Sequence, residues 1–153
     1  MNLEQKRAIA VPHDFAFKSA SDFARFEREG AGGAQFTRID QGNPVQVGAQ
    51  WQVNAEFRGR PRRFVVTLAE YTPSTKLVFK TGSSKFDVHV SYDFTPKGEK
   101  ACEVAMRIET AARSLAGRLI FQTLQLARAR FERYLGEAVE RMANQMEKEY
   151  KPA

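Results

Sequence analysis

The chain predicts an α+β fold: a curved antiparallel sheet of six or seven strands against a long C-terminal helix, with two short helices near the N-terminus. Three observations carry this. Between residues 34 and 110 hydrophobicity alternates with period two, and the runs are separated by hairpin-length turns. No helix-length segment interrupts those runs, so the crossovers that a parallel sheet requires are missing. After Ser114, apolar residues recur at helical spacing almost to the end of the chain.

Taken in order, residues 5–11 (QKRAIAV) read as a short strand closed by Pro12. His13 to Arg28 form one or two short helices, with Phe15, Phe23 and Phe26 as apolar faces and Ser21 or Asp22 as a cap. Glycines at 30, 32 and 33 end that segment. The strand AQFTRID follows, then the turn-rich stretch QGNPVQVG. AQWQVNAEFRGR and PRRFVVTLAEY pair around Gly59-Arg60-Pro61. TKLVFKT, KFDVHVSYDF and ACEVAMRIET complete the meander, with Thr72-Pro73-Ser74 and Pro96-Lys97-Gly98 as turns.

Alternation sorts the faces. Trp51, Val53, Phe57, Phe64, Val66, Leu68, Phe79, Val90, Tyr92 and Met106 share one side, and Gln52, His89 and Arg107 the other. Such a sheet needs a cover on its apolar side. Leu115, Leu119, Leu124, Ala127, Phe131, Leu135, Val139, Met142 and Met146 supply it, as one amphipathic helix of about 35 residues, roughly 50 Å long. A strongly twisted sheet curls, so the helix lies in its concave side with room left over. At 153 residues the chain is long enough for one domain with its own core, and a single domain spanning 1–153 is expected.

The element order and several phrases resemble the START-like, or polyketide cyclase and lipid-transport, superfamily (SRPBCC), whose architecture is called a helix grip. VGAQWQVNAEF is similar to the family's glycine-led third strand, and LAEYTPSTKLVFKT to its strand–proline–turn–strand. VSYDFTPKGEKACEVAMRIE resembles its penultimate hairpin, and RFERYLGEAVERM its final helix. The resemblance covers nearly the whole chain and implies a ligand cavity between sheet and helix. Members bind lipids, sterols, hormones or polyketides, and some catalyse cyclisation, so the fold leaves the function open.

The residues narrow the choice. His13 falls in a turn and His89 on the solvent face, and neither has partners at metal-ligand spacing, so no metal is expected. Cys102, the one cysteine, lies on the apolar face as a small hydrophobe. GAGG at 30–33 lacks the lysine and the strand-to-helix context of a phosphate loop, and no cofactor is expected. The inward polar groups are the Tyr92 hydroxyl, the Trp51 indole N–H and Thr123. That lining suits a small apolar or amphipathic molecule, held by Trp51, Phe57, Phe64, Val66, Phe79, Val90, Tyr92 and Met106 from the sheet and Leu124 and Phe131 from the helix. A cyclase or aromatase using the same cavity is the alternative, with Glu70 and Tyr92 as its weak catalytic candidates. A protein-interaction module is the second.

Net charge +6 and a pI near 9.7 raise the question of an anionic partner. Glutamates interleave with the arginines of the last helix, which marks a solvated face, and no nucleic acid is expected. Arg58, Arg60, Arg62 and Arg63 crowd one hairpin, which offers at most weak contact with an anionic surface. The N-terminal residues lack the apolar core of a secretory signal, and no run approaches the ~20 residues of a membrane span. A cytoplasmic location is the expectation. Oligomeric state is left open.

Overall fold

The computed structural model describes residues 1–40, 44–57 and 59–152, with Phe57 through its backbone only. Three residues of the QGNPVQVG stretch (41–43) and Arg58 of the basic hairpin lie outside the described residues. The elements are β1 (Asn2–Ile9), α1 (His13–Ala20), α2 (Phe23–Glu29), β2 (Gln35–Arg38), β3 (Gln50–Phe57) and β4 (Arg60–Thr72). They continue with β5 (Lys76–Gly82), β6 (Phe86–Pro96), β7 (Cys102–Ala112), α3 (Leu115–Gln125) and α4 (Arg128–Glu149). The strands form one antiparallel sheet in the order β1-β7-β6-β5-β4-β3-β2. This is the helix-grip arrangement that the periodicities predict. β1 starts earlier than expected, because Asn2–Lys6 pairs with Glu109–Ala105.

Parity holds along most of the sheet. Trp51 pairs with Val66, Phe79 with Val90, and Tyr92 with Met106, while His89 sits between Lys80 and Glu109 on the outer face. The phase slips once. The β4–β5 register jumps between Leu68 and Glu70, leaving Ala69 as an extra residue. Beyond it Tyr71, not Glu70, stands opposite inward-facing Leu77. At the next turn Thr75 N–H donates to the Thr72 carbonyl (3.1 Å), and Ser74 at the third position has φ 64, as a type II turn after Pro73 requires.

The final helix is two. The N–H groups of Leu126 and Ala127 donate three residues back, to the Thr123 (3.2 Å) and Leu124 (2.9 Å) carbonyls, and the α-helical ladder lapses there. Neither proline nor glycine marks the break. α4 settles on the inner face of β1, burying Leu135, Val139, Ala143 and Met146. Arg7 fixes its height: the guanidinium pairs with Glu140 (2.9 Å) and Glu147 (3.4 Å) and donates to Asn144 Oδ1 (3.0 Å). Glu147 also accepts the Ala10 N–H (2.8 Å). Arg25 of α2 grips the last turn of α4 with two bonds to Glu149 (2.9 and 2.6 Å), which hold that carboxyl below its ordinary range.

α3 runs across the end of the sheet. Ser114 caps it by accepting the Gly117 N–H (3.1 Å). Gly117 itself lies against the Lys85 carbonyl so closely that a β-carbon would overlap that oxygen. Phe121 stacks on Phe86 with ring centroids 4.9 Å apart. In a free helix alanine is favoured over glycine by about 1 kcal/mol. Gly117→Ala is nevertheless expected to lower stability by roughly 1–3 kcal/mol, because backbone has to move to admit the methyl. Denaturant unfolding measures the sign, and a stabilised variant would place α3 away from Lys85.

Candidate functional site

The concave face divides into a filled end and a half-open end. At the filled end Leu68, Leu77, Phe94, Cys102 and Val104 meet α1 and α4 and are fully or nearly fully buried. Phe17 of α1 packs edge-on to Phe94 (5.8 Å) and Tyr71 (5.4 Å). Cys102 is fully buried, and burial pushes its thiol up.

At the half-open end the inner face is only partly covered. Val66, Phe79, Val90, Tyr92 and Met106 of the sheet are half-buried, as are Leu124 of α3 and Phe131 of α4. Phe64, nearer the β3–β4 hairpin, is exposed. The register makes several of the sheet residues neighbours: Phe79, Val90 and Ile108 form one row running on from buried Leu68, and Tyr92 and Met106 the next, running on from buried Leu77. The sheet residues among these, named from sequence as a lining, share the inner face and keep partial exposure, while Phe79, Tyr92 and Met106 also pack against the buried core.

Two candidates stand elsewhere. Trp51 is buried under α2, not the C-terminal helix, and its indole N–H donates to Glu27 Oε1 (2.8 Å). Phe23 of α2 lies between the Trp51 ring (5.2 Å) and the Phe79 ring (6.3 Å), and Phe79 meets Tyr92 edge-on at 6.2 Å. An aromatic chain of four therefore runs from Trp51 through Phe23 and Phe79 to Tyr92. The 3.6-residue period placed Phe23 on an apolar face, but no sequence signal linked it to β3. The second is Phe57, whose side chain lies outside the described residues.

The polar groups also need correction. Thr123 is exposed and does not enter the cleft. The bulge at Ala69 turns Glu70 to the outer face, where it is exposed and lies 3.9 Å from Lys76. Gln5 and Arg7 of β1 do face inward, yet both serve α4: Gln5 Nε2 donates to the Glu132 carbonyl (3.4 Å), and Arg7 is held as above. Arg38 stacks over Trp51, 5.7 Å from the ring centroid, and its bonds to Asp40 draw that carboxyl down to about 2. What remains inside the cleft is the Tyr92 hydroxyl. It has no hydrogen-bond partner among the described residues, and although the side chain is only half-buried by surface, the surrounding protein pushes its phenol up to about 12. It is a neutral O–H donor and acceptor at neutral pH. No group of three or more His, Cys, Asp or Glu side chains with metal-binding geometry occurs among the described residues.

Two depressions on the outer surface, of about 390 and 420 Å³, are less suited to a ligand. One is bordered by Asn54, Glu56, Arg62 and Arg63, the other by the paired charges Glu4–Arg107 and Arg128–Glu132. Their charges are exposed or already matched.

The family model described as "Polyketide cyclase / dehydrase and lipid transport" matches residues 1–147. The chain belongs to that family. No curated protein sequence matches it. Among solved structures, norcoclaurine synthase from Thalictrum flavum, in complex with dopamine and hydroxybenzaldehyde, superposes with TM-score 0.71 at 12% identity, covering 100% of this chain and 89% of that one. The Zhui aromatase/cyclase from Streptomyces sp. R1128 gives TM-score 0.70 at 9% identity, over 97% and 94% of the two chains. A protein from Thermus thermophilus gives 0.69 at 13% identity, over 95% and 97%. At these identities the likeness is one of fold: the helix grip of ligand-binding and polyketide cyclase-like proteins.

The split of the concave face carries an energetic consequence. Phe94, at 2% exposure, should cost roughly 3–5 kcal/mol on truncation to alanine. Phe131→Ala should cost clearly less, about 1–2 kcal/mol, because its ring is only half-buried. Equal losses in denaturant unfolding would mean that Phe131 is part of a closed core.

Proposed function

We propose that the protein binds a small apolar or amphipathic molecule in the half-open cleft, against Val66, Phe79, Val90, Tyr92, Met106 and Phe131. The observation that supports this is the run of half-buried apolar side chains along one inner wall with a single unpartnered polar atom, the Tyr92 hydroxyl, among them. Leaving such a wall in water is unfavourable by about 25 cal/mol for each Å² of apolar surface, and a ligand recovers that free energy. The hydroxyl would set the ligand's orientation through one hydrogen bond.

Binding without chemistry is the simpler reading. The cleft wall carries no carboxylate or imidazole among the described residues, and a phenol near 12 is a poor base at neutral pH. A cyclase-like reaction is the second reading. It is favoured by the family description and by Tyr92, which stays protonated and so remains a donor to a substrate carbonyl.

An apolar fluorescent probe titrated into the protein separates the two. Affinity should be flat between about pH 5 and 9, since no cleft group titrates there. Val90→Trp should weaken binding about tenfold or more by filling the cleft, and Glu70→Gln should leave it unchanged. A polyketide-like substrate turned over with a bell-shaped pH dependence, and lost in Tyr92→Phe, would replace the carrier reading with the enzymatic one.

A further inference from the structure

The sequence placed Leu115 and Leu119 on the stripe that covers the sheet. Instead they are 73% and 57% exposed, and Leu126 is 89% exposed. The break before α4 frees α3 to dock by its other side, through Gly117, Ile120, Phe121 and Leu124. Leu115 and Leu119 fall at i and i+4, opposite the docked face, and Leu126 follows directly after the last residue of the helix. α3 is thus apolar on both sides while only one side has a partner. An ordinary surface helix would carry charge there.

The charge around this stripe is of one sign. From Thr110 to Phe131 the chain holds four arginines (113, 118, 128 and 130) and no aspartate or glutamate. Pairing brings a second basic element to the same end. Ala112, which leads into α3, stands opposite Phe86, the first residue of β6, and Gly82, the last of β5, stands opposite Asp87. Thr67 pairs with Lys80, so the first residues of β4 run on past the end of β5. The β3–β4 hairpin therefore projects at the same end of the sheet as α3, carrying Arg60, Arg62 and exposed Phe64 on one face and exposed Val65 on the other. The acidic groups facing this region are largely committed: Asp87 lies 3.7 Å from Arg113, and Glu132 is bonded to Arg128. Arg60, Arg62 and Arg118 have no ion-pair partner among the described residues, and the carboxylates near this end that also lack one include Glu56 on β3 and Glu109 on β7.

We propose that this end of the molecule docks on an anionic lipid bilayer, with Leu115, Leu119 and Leu126 inserted at the headgroup level and Arg60, Arg62 and Arg118 on lipid phosphates. The pattern is that of an interfacial helix, with exposed apolar residues on one side and guanidiniums flanking them. A basic hairpin alone is a weak anchor, and so are three exposed leucines alone. Together they supply the two signals that stable interfacial binding needs. Nucleic acid would use the arginines and leave the leucines in water. A protein partner would want the apolar groups gathered in one groove, whereas here they come from a helix and a separate hairpin. No helix among the described residues is long and apolar enough to cross a membrane, so the contact is peripheral. This goes beyond the ligand reading and does not depend on it.

The test uses the full chain with Leu126→Cys carrying an environment-sensitive fluorophore. Cys102 is fully buried, so the label reports position 126. Vesicles of phosphatidylcholine mixed with phosphatidylglycerol should sediment the unlabelled protein and shift the label's emission to the blue. Phosphatidylcholine alone should do neither, and high salt should reverse the effect. Reversing the charge at Arg60 and Arg62 should weaken binding by about fivefold or more for each side chain. Leu115→Ser with Leu119→Ser should weaken it about tenfold or more while leaving unfolding nearly unchanged, because these side chains already face water. Failure to bind the anionic vesicles would overturn the proposal. So would binding that ignores the leucine substitutions, which would mean adsorption by charge alone. A dimer in solution that Leu119→Ser dissociates, with no vesicle binding, would assign the stripe to a second copy instead.

Discussion

One helix cannot cover seven strands. At about 4.8 Å between neighbours the outermost strands of this sheet lie roughly 29 Å apart along the hydrogen-bonding direction, whereas a helix with its side chains is about 10–12 Å across. Where the helix sits therefore decides which part of the apolar face remains open. Here α4 is held over β1 by Arg7 with Glu140 and Glu147, and by Val139, Ala143 and Met146 packed beneath it. α1 fills one end and α2 closes over Trp51. The middle strands at the other end keep an inner wall that no element fully covers. The cleft is the remainder of this geometry.

That origin explains the chemistry of the wall. Alternation sends every second residue of a strand to the inner face, and at Val66, Phe79, Val90, Tyr92 and Met106 those residues are apolar or aromatic. A ligand that withdraws about 200 Å² of that surface from water gains roughly 5 kcal/mol, before the cost of its own ordering. Specificity has to come from shape and from the single Tyr92 hydroxyl. Solved proteins sharing this fold include norcoclaurine synthase and an aromatase/cyclase. The scaffold supplies the wall, and each chain supplies its own polar groups.

Much of this was legible in the sequence, and the exceptions have physical causes. Period-two runs placed Val66, Phe79, Val90, Tyr92 and Met106 on one face, because alternation is imposed by the strand itself. Glu70 was misphased because a bulge at Ala69 adds a residue without proline or glycine to announce it. The end of α3 was equally silent. A continuous helix would be favoured by local propensity, and the lapse at Leu126 and Ala127 comes from two docking sites, Lys85 at one end and β1 at the other, that one straight helix does not satisfy. Leu115 and Leu119 had the correct spacing for a buried stripe and still face solvent for that reason. Phe23 and Glu27 reach Trp51 through tertiary packing between α2 and β3, which periodicity within a segment does not encode.

The half-open wall is the central claim, and the four methionines give it a direct readout. Met106 stands beside Tyr92 and keeps partial exposure where it meets the core, as Met142 does, whereas Met146 is buried at 2% exposure in the filled end. With methyl-labelled methionine, NMR resolves each ε-methyl separately as an apolar probe is added. The account predicts a progressive, saturable shift of the Met106 resonance while Met146 stays in place. A Met106 signal that does not move while the probe binds would put the ligand elsewhere. Equal shifts at Met106 and Met146 would mean that the concave face is not divided as described.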